Sequence, residues 1–422
     1  MRSKVLFAGL LLMMLNFQLY GQFRLTLDEC QQRAQVNYPL IKKRALIKKS
    51  EAYSVENAAK GYLPQLTING QTTYQSAVTE IPIQMAGIEI PQLAKDQYKI
   101  YGELNQSIYD GGDIKQKKEL HRSTSTIEEQ NLSVELYQLK DRINQLFFGL
   151  LMIEEQLKQN HLLTKDIQLG LAKIDAAITN GTALRADRHV IEAELLKAGQ
   201  QMVDLKANRK AYLEVLSLFL NTPLDDHTRF IRPVARMRPS GVKRPEIDLF
   251  NYRLAGIDVQ EKLIHVRNRP RLDFFFQGGY GRPALNILKP RFEAYYIGGL
   301  RLRWNLGGLY TQKKDKAILE NDRLAIEAEK ETFLFNTNSQ AKQESITMQR
   351  YQDLLQSDSE IIVLREKVKK TAIAQLEHGV ITTNDYLREV NAEDQARLNQ
   401  IVHEIQLLAS QYDYLYITGD TH

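Results

Sequence analysis

The chain has one cysteine, one tryptophan and eleven prolines in 422 residues. A single thiol, Cys30, excludes a disulfide within the chain. Leu27-Asp28-Glu29 before it lacks the Leu-x-Ala/Gly pattern that precedes a lipid-modified cysteine. Cys30 therefore reads as a small buried apolar residue. Proline is absent from Gln92 to Thr222 and from Arg291 to His422. Proline breaks helix interiors, so those stretches are where very long helices survive. The eight histidines show no His-x-x-x-His or His-Glu-x-x-His zinc spacing. No Gly-x-Ser-x-Gly nucleophile motif occurs. The Gly-Gly pairs fit neither the dinucleotide nor the P-loop pattern. The sequence reads as a non-enzyme without cofactor or metal. A net charge of +5 does not by itself imply a nucleic-acid partner. No later segment reads as a transmembrane helix.

Met1-Arg2-Ser3-Lys4 is a short basic start, followed by an apolar run from Val5 to Leu15 and a small residue at Tyr20-Gly21-Gln22. This reads as a secretory signal peptide over residues 1–21; the run is shorter than the about 20 residues of a membrane anchor. An exported chain without a spanning helix is soluble, surface-bound or inserted as a β-barrel.

The sequence that follows says nearly the same thing twice. Tyr109-Asp110-Gly111-Gly112 and Asn305-Leu306-Gly307-Gly308 each end a strand-like segment and lead into a helical one, 196 positions apart. Asn180-Gly181-Thr182 and His378-Gly379-Val380 each interrupt a helical pattern, 198 apart. Pro64-Gln65-Leu66 and Pro270-Arg271-Leu272 each open a strand pattern, 206 apart. Ordered landmarks at a similar offset mark an internal repeat. The first repeat is 22–222 and the second is 246–422, each helix, two strands, long helix and return helix. The proline-rich residues 223–245 form an irregular connector. One elongated body of two similar halves is expected.

Asp113 to Ile178 places Leu132, Leu136, Leu139, Ile143, Phe147 and Leu150 at helical spacing, and Lys316 to Leu376 does the same with Ile326, Phe333, Leu354, Ile361 and Leu364. A helix of about 65 residues spans roughly 100 Å and must pack lengthwise against others. Return helices are expected over Ala186 to Leu218 and Asn384 to Tyr416. Thr26-Leu27-Asp28-Glu29 has capping-box spacing, opening a helix interrupted near Pro39.

Four segments alternate apolar and polar. Leu66, Ile68, Gly70, Thr72 and Tyr74 share a face; so do Ile100, Gly102, Leu104 and Ile108; Leu272, Phe274, Phe276 and Tyr280; and Tyr296, Leu300, Leu302 and Trp304. Period-two alternation gives one apolar and one polar face. A soluble sheet with one solvated side fits this, as does a barrel with lipid outside and water inside. Segments of about ten residues and the charged Glu103, Asp273, Arg301 and Arg303 on the polar face favour the barrel. Four strands fall short of the eight or so that closure needs, so several chains must share one barrel.

These features resemble the TolC-like outer membrane efflux protein family, the channels of tripartite efflux and type I secretion systems. The resemblance rests on Leu27-x-x-Cys30 with Asn37-Tyr38-Pro39, Leu63-Pro64-Gln65-Leu66, both Gly-Gly strand exits and both helix breaks, in order and duplicated. It covers the chain after the signal peptide. It implies a mostly α fold with a β-barrel portion: a long α-helical coiled-coil tunnel in the periplasm and four transmembrane strands per chain, completing a twelve-stranded barrel in a homotrimer. It implies a passive export duct in the outer membrane, coupled to an inner-membrane pump through a periplasmic adaptor protein. The chain departs from the family at Ile381, where an arginine is frequent, and at Arg388, where a second aspartate often follows Asp385.

Candidate sites follow. Asp187 and Asp385 each lie six residues after a break glycine; either would form a ring of carboxylates in a trimer, or simply cap its helix. Asp385, Arg388, Glu389 and Asp187 are the candidate pore constriction. Asn180, Gly181, Thr182, His378, Gly379, Thr382 and Thr383 are the candidate adaptor contact. Gly111, Gly112, Gly307 and Gly308 make the strand-to-helix turns. Lys117, Lys118, Lys313 and Lys314 sit at matching places near helix starts, where the dipole disfavours them. With Trp304 they are candidates for the outer-membrane lipid interface, or lie on a solvated face. A soluble periplasmic coiled-coil scaffold or adaptor is the alternative reading, and a helical enzyme is a more distant one.

Overall fold

The computed structural model describes residues 24–79, 94–234 and 241–420. The expected signal peptide and residues 235–240 of the connector lie outside them. In chain order the elements are β1 (Arg24–Leu25), α1 (Leu27–Asn37), α2 (Lys42–Ala59), β2 (Gln65–Tyr74), β3 (Asp96–Tyr109), α3 (Asp113–Thr179), α4 (Arg185–Leu220), β4 (Arg229–Phe230), α5 (Pro245–Arg267), β5 (Arg271–Arg282), β6 (Glu293–Arg303), α6 (Gly308–Glu377) and α7 (Thr383–Thr418). A short 3-10 turn at Pro39–Ile41 separates α1 from α2. Helix α6 starts earlier than the apolar spacing suggests, at Gly308 itself, because nothing in the polar Thr311 to Asp315 stretch breaks a helix. The long helices have 67 and 70 residues and the return helices 36 each.

The chain forms two compact units, each built from matching pieces of both halves. The first takes the described parts of Met1–Ile41, Ser133–Pro245 and Phe333–His422; the second takes Lys42–Leu132 and Glu246–Thr332.

In the first unit, β1 pairs parallel with β4, which brings Leu25 beside Phe230. Thr26 caps α1: its Oγ1 accepts from Glu29 N at 3.3 Å, and Glu29 Oε2 accepts from Thr26 N at 3.0 Å. Cys30, Ile143, Phe147, Leu216 and Leu408 meet there in one apolar core. Phe147 stands edge-on to Phe230 at 5.4 Å. Burial of each such side chain contributes about 1.5–3 kcal/mol. Burial also lifts the Cys30 thiol to about 12, so it is an inert packing group. A second core joins the two helical hairpins through Ile167, Ile174, Ile191, Leu376, Tyr386 and Val390. Two glycines permit the close packing. A Cβ on Gly149 would lie 2.3 Å from Tyr212 Cε1, and one on Gly170 would lie 2.6 Å from Tyr386 Cε1.

Helix α6 is packed less fully than its apolar spacing suggests. Within this unit Met348, Ile362, Ala372 and Leu376 are buried, while Phe335, Ile346, Leu354, Ile361, Leu364 and Val368 remain exposed.

The second unit holds an antiparallel sheet in the order β2-β3-β5-β6. Helix α5 packs beside the first turns of α3, where a Cβ on Gly256 would sit 3.2 Å from Ile127 Cδ1. Arg323 ties α6 to α5 through Asp258 at 2.6 Å. No described helix is long and apolar enough to cross a membrane.

Candidate functional site

The sheet is the first candidate surface. Its register sets Leu66, Leu104, Phe276 and Gly298 in one row, and Gly70, Ile100, Tyr280 and Ala294 in another. The apolar side chains of this face are uncovered in the single chain. Leu66 is 70% exposed, Ile68 78%, Leu300 64% and Tyr296 74%. A solvated sheet would present its polar face instead. The opposite face carries Glu103, Asp273, Arg301 and Arg303 and pairs them with one another. Arg301 pairs with Glu103 at 3.4 Å and lies 4.5 Å over the Phe275 ring. Arg303 pairs with the buried Asp273 at 2.7 Å. Strict alternation fails in two places. Phe275 and Ile297 share the polar face, and a bulge after Ser107 pairs Tyr109, rather than Ile108, with Leu272. The extra residue of a bulge shifts the phase of everything beyond it. Strands β2 and β6 each pair along one side only.

The two Gly-Gly exits share a spelling and differ in geometry. Gly111 and Gly112 both have left-handed φ, +70° and +92°, and Asp110 Oδ1 and Oδ2 accept from Gly112 N and Ile114 N at 2.8 and 2.7 Å. Gly307 and Gly308 have no positive φ. Gly308 is the first residue of α6, and a Cβ there would strike Asn268 Oδ1 at 2.1 Å. The first pair supplies conformation; the second supplies room. Trp304 stays exposed, with its indole donating to Asn268 O at 3.0 Å. Lys117, Lys313 and Lys314 are exposed and Lys118 is half-buried. Lys117 pairs with Asp113 at 2.9 Å, which offsets its unfavourable place near a helix start.

The second candidate surface is the pair of hairpin tips. Gly181 and Gly379 have φ of +75° and +69°. The residue after each donates back at 2.8 Å, Thr182 N to Ala177 O and Val380 N to Gln375 O. This closure satisfies the last helical carbonyls and requires left-handed backbone at the glycine. Asn180, Gly181, Thr182, His378, Gly379 and Thr382 are exposed. Thr383 is not: it is 4% exposed at the first residue of α7 and drops out of the adaptor-contact set. The helix turns it toward the interior, while Thr382 before it is the outward N-cap.

Asp187 Oδ2 accepts from Leu184 N at 3.0 Å. Asp385 makes a full capping box, its Oδ2 accepting from Thr382 N and Oγ1 at 3.2 and 2.7 Å. The Thr382 hydrogen bonds hold the Asp385 carboxyl below its ordinary range. Arg388 pairs with Asp385 at 3.3 Å and Glu389 at 3.2 Å, and Arg365 also reaches Glu389 at 3.3 Å. Within the chain, then, the candidate constriction residues are engaged with helix capping and with each other.

Sequence reasoning missed a buried ionic cluster behind that tip. Lys369 Nζ of α6 donates to Asp166 of α3 at 2.8 Å and to Glu393 of α7 at 3.1 Å. Burial pulls the Lys369 ammonium down, but these two carboxylates outweigh it and hold it above its ordinary value. Arg397 joins through Glu393 and Glu366. Gln159 donates to Asp394 at 2.8 Å. Tyr386 donates from its hydroxyl to Asp166 O at 3.1 Å. The sequence carried a signal: Lys369 and Glu393 fall in phase with Leu376 and Val390, on the apolar faces of their helices.

No family model and no curated protein matches the sequence. Solved structures do. The outer-membrane channel OprN aligns with TM-score 0.68 at 14% identity, covering 94% of this chain and 90% of that one. The outer membrane protein VceC of Vibrio cholerae aligns at 0.65 and 13%, covering 93% and 96%. The MtrE outer membrane channel of Neisseria gonorrhoeae, in its open state, aligns at 0.67 and 13%, covering 93% and 88%. At this identity the likeness concerns the fold, and it extends over nearly the whole of each chain.

Proposed function

From the premise that this chain has the TolC-like channel fold, we propose that it is an outer-membrane duct. It is the exit component of a tripartite efflux or type I secretion system. The observation that carries this reading is the uncovered apolar face of the sheet, with Arg301 paired to Glu103 and Arg303 to Asp273 on the other face. Lipid is the solvent that suits such a face. Four strands cannot close a barrel, and β2 and β6 each have an open edge. A homotrimer supplies twelve strands and joins edge to edge. The exposed α6 stripe from Phe335 to Val368 supports the same assembly, because a second copy would cover it.

In this reading the helical unit lies in the periplasm. Lys117, Lys118, Lys313 and Lys314, with Trp304, meet lipid headgroups at the inner edge of the membrane. Asp385, Arg388, Glu389 and Asp187 line the narrow end of the tunnel. The exposed tip residues Asn180, Gly181, Thr182, His378, Gly379 and Thr382 meet a periplasmic adaptor, which links the duct to an inner-membrane pump. The duct is passive and performs no catalysis.

The test is to extract the protein in detergent, measure its stoichiometry and record conductance in planar bilayers. A trimer with steady unitary conductance is expected; a detergent-independent monomer overturns the reading. Replacing Asp385 and Arg388 together with alanine is expected to raise conductance, and an unchanged value removes them from the constriction. Crosslinkers at Thr182 and Thr382 are expected to capture an adaptor.

A further inference from the structure

An open cleft of about 690 Å³ lies within the first unit, between α3, α4 and the segment around β4. Its floor is Arg209, whose side chain is 8% exposed. Arg209 donates to Glu154 and Asp226, both at 3.0 Å, and to Thr228 O at 3.0 Å. The two acids that line the cleft are therefore engaged with its floor. The rim is cationic: Lys158 from α3, Lys206 and Lys210 from α4, and Arg229 from β4, with His161 beside them. All are exposed. Among the described residues, Lys158 and Lys210 each pair with a glutamate of their own helix, Glu155 at 2.7 Å and Glu214 at 3.9 Å. Such surface pairs hold their partners weakly.

The hairpin architecture does not require this charge. At the 198-residue offset, Lys158, His161, Lys206 and Lys210 become Gln356, Ser359, Glu404 and Leu408. The second hairpin reaches similar helix lengths without cations at those positions. Like charges gathered round a concavity raise the local potential and draw in anions. At about 1.5 Å per residue, the cleft lies roughly 30 Å along its helices from the Gly181 tip, away from the proposed adaptor contact.

We propose that this cleft docks the carboxylate-bearing peptide stems of the cell-wall polymer. The inference rests on the periplasmic placement proposed above, since the wall is the extended polyanion of that compartment. Charge complementarity selects a multivalent anion. Lysine ammoniums on flexible stems suit carboxylates of irregular spacing.

The test is cosedimentation of the full-length, detergent-extracted protein with purified sacculi. The comparison is a variant carrying Lys158→Gln, Lys206→Gln, Lys210→Gln and Arg229→Gln, exposed positions whose neutralisation leaves Arg209 in place. The wild type is expected to sediment, and the variant to bind about tenfold less. Wild-type binding is expected to vanish near 1 M salt, where the screening length falls to about 3 Å. Sacculi with amidated carboxylates should fail to retain the wild type. Equal retention of both proteins, or of the wild type on amidated sacculi, overturns the proposal. So does a variant that keeps the wall but loses its adaptor on copurification, which would make the cleft a protein contact. A conducting trimer that ignores sacculi sinks this inference alone; a detergent-independent monomer sinks the channel reading, and this inference with it.

Discussion

The hairpin of α3 and α4 and the hairpin of α6 and α7 are the same backbone solved with different chemistry. Both break at a left-handed glycine, both close the tip through the same pair of backbone hydrogen bonds, and both set an aspartate three residues after the N-cap. Their side chains then part. The first hairpin carries the cationic cleft, where the second is neutral or acidic. The second carries the ionic cluster of Lys369, Glu393 and Asp394, where the first has Leu171, Leu195 and Leu196. Leu171 and Leu195 pack against the hairpin core. What the halves share is what backbone geometry demands. Where they diverge, the fold does not dictate the residue, and specific roles are to be sought there.

Four experiments break or sharpen this comparison. The largest effect is expected at Lys369. Lys369→Met removes one of the two cations that hold Glu393, whose side chain is 3% exposed, together with the partner of Asp166, and should destabilise the protein by about 3 kcal/mol. Writing the first hairpin's solution into the second, Lys369→Leu with Glu393→Leu, should recover most of that loss. Thermal unfolding by circular dichroism measures both, and an equally unstable double variant would mean the hairpins are not interchangeable.

Gly170 comes next. Gly170→Ala drives a methyl into Tyr386 and should cost about 2 kcal/mol. Gly199→Ala, which meets nothing within 4 Å, should gain up to about 1 kcal/mol of helix propensity. The same melts read both.

Asp413 tests the charge asymmetry by pH. Burial, then Asp141 and Glu344, raise its carboxyl to about 7, where the first hairpin has Val215. The folded state binds this proton more tightly than the unfolded one. Its contribution is thus full below about pH 4 and lost as pH rises through about 7. Each unit of displacement is worth about 1.4 kcal/mol. Asp413→Asn should therefore match the wild type near pH 4 and melt higher at pH 8; parallel curves at both would sink the assignment.

The smallest effects concern the caps. Thr382 caps α7 through its hydroxyl, whereas Leu184 at the matching place has no side-chain acceptor. Thr382→Ala should cost about 1 kcal/mol, and Leu184→Ser should gain up to about 1 kcal/mol.

Much of this was legible in the sequence. Proline absence marked the two long helices, and break glycines marked the tips. Alternation found all four strands and their apolar faces. The apolar stripes of α3 were readable because residues such as Leu136, Ile143 and Phe147 turn inward. The stripe on α6 was legible only as a pattern, since periodicity cannot say whether a face meets its own chain. Thr383 was misread as exposed because one helical residue, about 100° of rotation, separates an outward cap from an inward side chain. The Gly-Gly exits looked alike because a dipeptide does not reveal whether glycine supplies conformation or space.

By itself the sequence determined periodicity, breaks and repetition, since these follow from dihedral limits and side-chain spacing along one strand or one helix. Only the tertiary structure decided which charges from distant segments meet. Lys369 lies 203 positions from Asp166, and Arg209 lies 55 positions from Glu154. No local rule relates such residues; packing of helix on helix brings them within hydrogen-bond reach.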